Sequence, residues 1–134
     1  MGFWSLGGLR QPKAQDIKWR KSPRGDYYKL FMLDDIADLK LDGVGGVYLI
    51  WHGGLKPGWL TAGATDDLGE SFRDARSNRE IRNYDGRGGV FISWSPIVDD
   101  YRDGVVHFIE KHTNPAFDCD YDKREEPIPV LLPR

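Results

Sequence analysis

Arg73, Arg76, Arg79 and Arg82 recur every three residues in a chain of 134 residues. On one helix that spacing makes a slowly drifting stripe. Such a stripe suits phosphate contacts, which require only cations and geometry. Asp74 and Glu80 are interleaved with it, and a solvated helix face with ion pairs is the competing reading. Asp118, Asp120 and Asp122 alternate like the opening ligands of a calcium loop. Lys123 stands where that loop needs glycine and Pro129 where it needs a bidentate acid, so the match fails. His52, His107 and His112 lack a metal-binding spacing and read as surface or capping residues. Cys119, the single cysteine, has no catalytic-histidine pattern near it and reads as inert. No metal ligand set is expected.

A second group of chemical residues lies near the start of the sequence. Lys18, Arg20 and Lys21 sit beside Trp19, with Trp4 further upstream. Aromatics among cations suit base stacking or the hot spots of a protein interface. Residues 1–33 hold seven basic and two acidic side chains, a charge of +5. The remaining residues hold 12 basic and 19 acidic side chains, a charge of −7, and the total is −2. A basic arm on an acidic body is a cue for a nucleic-acid or acidic-protein partner, or for an arm lying on its own body.

These side chains need elements to position them. Residues 1–33 read as a basic, aromatic arm and lead-in, with 27–33 either a strand or a buried approach. Residues 34–117 read as the domain, and 118–134 as a tail that is acidic and then Pro-rich and apolar. Asp34 to Leu39 suits one or two helical turns. Val47 to Trp51 and Trp59 to Ala64 read as a hairpin around the loop at 52–58. Asp66 or Asp67 caps a helix reaching about Arg82, with Leu68, Phe72, Ala75 and Arg79 on one side. Val90 to Trp94 forms a third strand. A second helix starts at Asp99 or Asp100, carries Tyr101, Val105, Phe108 and Ile109 inward, and stops at Asn114-Pro115. Trp51, Trp59 and Trp94 belong to the sheet, whereas Trp4 and Trp19 fall outside that pattern.

The length allows one domain with an arm or tail, and a core that needs no disulfide. No apolar stretch approaches the ~20 residues of a membrane span. A secretory signal and a myristoylation pattern are both missing from the first residues. With one cysteine, a cytoplasmic location is expected.

Gly46-Val47-Tyr48, the turn Gly63-Ala64-Thr65-Asp66-Asp67-Leu68 and the closing Asn114-Pro115 together resemble the GIY-YIG nuclease signature over about residues 44–117. The resemblance implies an α/β (α+β) fold with a small three-stranded mixed or antiparallel sheet flanked by helices. It also implies phosphodiester cleavage by a tyrosine that positions water, a helix arginine and a metal-holding glutamate. Tyr48 keeps the first tyrosine. Thr61 replaces the second, and Ser71 stands at the arginine position. Arg73, two residues on, is rotated by about 200° around a helix. The glutamate position falls on His107 or Val106, with Glu110 one turn away. Loss of a general acid or base typically costs about 10²–10⁴-fold, and loss of a charge stabiliser about 10²–10³-fold.

The expected function is therefore a non-catalytic binding or structural module that docks on a protein partner or fellow subunits through arm and tail. One alternative is a metal-dependent DNA endonuclease with Tyr48 and a rebuilt site of Arg73, His107 and Glu110. The other is non-catalytic nucleic-acid binding through Trp4, Trp19, Lys18, Arg20, Lys21, Arg76 and Arg79. No cofactor is expected, and Mg or Mn enters only with the endonuclease.

Overall fold

The computed structural model describes residues 13–133. Four strands form one sheet: β1 (Tyr28–Lys29), β2 (Gly46–His52), β3 (Gly58–Thr65) and β4 (Val90–Ser95). Their order is β1-β4-β2-β3, and every neighbouring pair is antiparallel. The protein is α+β, with four strands where three were expected. The extra strand is β1, whose Tyr28 and Lys29 pair with Ile92 and Phe91. A run of two residues carries no detectable period, so sequence alone left this segment as either strand or lead-in. A 3-10 turn at Leu30–Met32 follows it, and another spans Ile36–Leu39 after an Asp35 cap.

Helix α1 (Leu68–Ser77) begins at Asp67, whose side chain accepts from the Glu70 amide. It ends sooner than its apolar spacing predicts. Asn78 is extended (φ −83, ψ 114), and its side chain accepts from the Glu80 and Ile81 amides. It thereby caps a separate short helix, α2 (Arg79–Arg82). Helix α3 (Asp99–Thr113) ends at Asn114 in the left-handed conformation.

Alternation along β2 divides the core. Ile50 faces a cluster with Phe72, Leu68, Ile92 and Trp94 on the α1 side. Val47 and Leu49 face Val105, Val106 and Ile109 of α3. Both helices thus bury one stripe on opposite faces of one sheet. The stripe of α3 differs in part from expectation. Val106 is fully buried and Tyr101 remains 57% exposed.

Arm and tail complete the body. Residues 116–120 run alongside β3: the Ala116 and Phe117 amides donate to the carbonyls of Trp59 and Leu60, and Asp120 bridges Gly63 in parallel. Farther on, the Ile128 amide donates to the Gly104 carbonyl of α3 at 2.9 Å. Gln15 then pairs with Val130 in parallel, and the Trp19 indole N–H donates to the Leu131 carbonyl at 2.7 Å. Ser93 and Ser95, almost fully buried in β4, donate their hydroxyls to the arm carbonyls of Arg20 and Ile17. A buried hydroxyl without an acceptor is costly, so these serines favour a covering strand at this position.

Candidate functional site

Tyr48 projects from β2 toward α1, with its ring edge-on to Phe72 at 6.5 Å. Gly63 of β3 lies directly opposite. A Cβ at Gly63 would sit 2.4 Å from the tyrosine hydroxyl, so glycine there makes room for the phenol. Burial first, then the charges of Asp120, Cys119 and Asp74, pushes the Tyr48 phenol up to about 12. The hydroxyl therefore stays protonated at neutral pH. A proton-accepting tyrosine needs a nearby cation to shift the other way. At the position where the resemblance expects an arginine, Ser71 donates its hydroxyl to Thr65 at 2.9 Å.

The residues considered as substitutes have other partners. Arg73 makes two hydrogen bonds to Asp42, at 2.6 and 3.2 Å. This contact holds the aspartate below its ordinary range and raises the arginine. His107 Nδ1 lies 2.6 Å from the Glu125 carbonyl oxygen. Glu110 accepts from the Tyr121 hydroxyl at 2.6 Å. That hydrogen bond is the main reason its carboxyl is held low. Burial, followed by Glu110, raises Tyr121. His107 and Glu110 thus engage the tail from α3, which packs on the face of the sheet opposite Tyr48. At the second candidate for the glutamate position stands Val106, fully buried and apolar. These donors do not fit a divalent ion beside Tyr48, and no cleavage step is derived through one.

The arginine stripe is divided by the chain break at Asn78. Arg73 and Arg76 belong to α1, whereas Arg79 and Arg82 belong to α2. Arg82 turns back to the Arg76 carbonyl and lies over the Phe31 ring at 4.5 Å. Of the aspartates alternating at 118, 120 and 122, Asp122 pairs with Arg124, which lowers its carboxyl to about 2.

The arm residues gather differently. Trp4 lies outside the described residues. Trp19 is half-buried and packs in the α3-side core beside Val130. Lys18, Arg20 and Lys21 are exposed around it. Together with Leu131 and Pro133 they line a groove of about 550 Å³. Arm and tail, expected as anchors, therefore meet in one surface of cations and apolar side chains, in which Asp16 pairs with Lys18 at 3.2 Å. Neither Leu131 nor Val130 carried a signal of that meeting beyond apolarity. Asp42 and Tyr121, the partners that occupy Arg73 and Glu110, were likewise invisible because each lies far from its partner in space-independent sequence terms.

The chain matches no known family model, no curated protein and no solved structure. Among the described residues, no helix is long and apolar enough to cross a membrane.

Proposed function

We propose that the chain is a non-catalytic binding module of GIY-YIG-like architecture, docking on a protein partner or a second copy through the joint surface of arm and tail. One observation carries this reading. The Gln15–Val130 pairing and the Trp19–Leu131 hydrogen bond gather both segments on one side of the domain. There Lys18, Arg20 and Lys21 surround Leu131, which is 40% exposed. A preorganised surface loses less conformational entropy on association than two loose anchors would. The non-catalytic part rests on Tyr48, whose phenol burial pushes further from ionisation, and on Ser71 at the position where the resemblance expects an arginine.

The test is capture of the tagged full chain from its native cells after treatment with DNase and RNase. The expected result is one protein bound in fixed ratio to the parent and to Tyr48→Phe. That protein is lost from a Lys18→Glu, Leu131→Glu double variant with unchanged circular dichroism. Equal retention by the double variant overturns the docking surface. Metal-dependent DNA cleavage that disappears in Tyr48→Phe would instead establish the endonuclease reading.

A further inference from the structure

Next to the arm–tail surface, a larger groove of about 930 Å³ opens between the arm and the β1 end of the sheet. Lys21, Arg24 and Lys29 stand around it, and Tyr27, Trp51 and Phe91 form much of its wall. All three cations are exposed, and among the described residues none has a carboxylate partner. Asp26 is the one acid in the lining. This is a local excess of positive charge on a chain whose net charge is −2.

The aromatic wall has a defined geometry. Trp51 and Phe91 lie nearly parallel, with centroids 6.0 Å apart and an interplanar angle of 18°. Tyr27 meets Trp51 edge-on at 5.0 Å. The Lys21 ammonium sits 4.9 Å from the Tyr27 ring centroid, and that of Lys29 sits 5.8 Å from Phe91. The two lysines thus lie over rings at the groove margin. Arg24 projects from a tight turn fixed by the Gly25 amide donating to the Ser22 carbonyl at 2.9 Å.

We propose that this groove binds a short stretch of single-stranded nucleic acid, with phosphates on Lys21, Arg24 and Lys29 and bases against Tyr27, Trp51 and Phe91. Charge complementarity selects an anionic polymer, and flat aromatic surface among the cations selects one with planar groups. An acidic peptide would satisfy the cations but bring no planar group to the aromatic wall. A duplex keeps its bases stacked on one another, out of reach of such a wall. The groove shares Lys21 and Tyr27 with the arm–tail surface, whereas Arg24, Lys29, Trp51 and Phe91 line it alone, so those four residues separate binding here from the docking reading.

The experiment measures fluorescence anisotropy of the full chain with a labelled twelve-nucleotide oligothymidylate. The competitors are a duplex of the same length and polyglutamate. Single strand should bind more tightly than either. With three phosphate contacts, log K should fall with log salt at a slope of about −2, so raising salt from about 50 to about 200 mM weakens binding roughly 20-fold. Lys21→Ala, Arg24→Ala and Lys29→Ala combined should remove most of the affinity and flatten the slope. Tyr27→Ala should weaken it about ten-fold through lost stacking. Arg76→Ala with Arg79→Ala should change nothing. The proposal is overturned by undetectable binding at low salt, by duplex or polyglutamate binding as tightly, or by full affinity in the triple variant. Loss of binding in an Arg24→Ala, Lys29→Ala double variant that retains the captured protein partner would uphold this site independently of the docking surface.

Discussion

At the scale of single residues, Tyr48 and Gly63 face each other across the hairpin, and the missing Cβ leaves room for the phenol. That Tyr48 and Gly63 sit on neighbouring strands was readable from the expected hairpin. The protonation of the phenol was not, because it depends on burial and on Asp120, which approaches from the tail. A raised pKa contributes stability below the unfolded value and loses it as pH climbs through the folded one. Tyr48 rises to about 12 and Cys119 to about 11, the latter chiefly through burial. The unfolded chain ionises both groups first, so stability should fall between about pH 9 and the upper end of that range. Melting curves across alkaline pH should show a shallower decline for Tyr48→Phe than for the parent from about pH 10 upward. Parallel declines would mean that the phenol is solvated in the folded state.

Secondary-structure elements were legible where one apolar face persists and illegible where a side chain competes with the backbone. The hairpin β2–β3, the strand β4 and the helix α3 fall close to the positions their patterns predict. The first helix does not. Leu68, Phe72 and Ala75 continue smoothly toward Arg79 in sequence. Asn78 interrupts them by offering its side-chain oxygen to two amides. Gly104 within α3 has a comparable hidden role. A Cβ there would lie 2.6 Å from the Glu126 carbonyl oxygen and 2.7 Å from Ile128. Helix propensity alone favours alanine over glycine by about 1 kcal/mol, whereas crowding the tail costs about 1–3 kcal/mol. Gly104→Ala should therefore destabilise the protein in urea titrations despite its better propensity. A stabilised variant would show that the tail does not press on α3.

Across the whole molecule, the charge asymmetry along the sequence was plain, and its spatial meaning was not. The arm, read as meeting a partner or lying on its own body, is fixed to the body by backbone acceptors for Ser93 and Ser95 and by the Leu131 carbonyl. Such contacts leave no mark in composition. Replacing Trp19 by alanine removes the indole donor and its packing against the α3-side core. Limited trypsin digestion should then cut at Lys18, Arg20 and Lys21 several-fold faster than in the parent. Unchanged cleavage would mean that the tail does not hold the arm in place.

The Trp19–Leu131 contact joins residues separated by 112 positions. A chain leaving the ribosome at about 5–20 residues per second would wait on the order of 10 seconds between making the two halves of that contact. From the emergence of Ser93 and Ser95 until that of Leu131, the arm strand that receives their hydroxyls lacks its indole clasp to the tail. The newborn protein thus passes through a stage with a basic, aromatic strand still unclasped, open to chaperones or to an early ligand before the last segment closes over it.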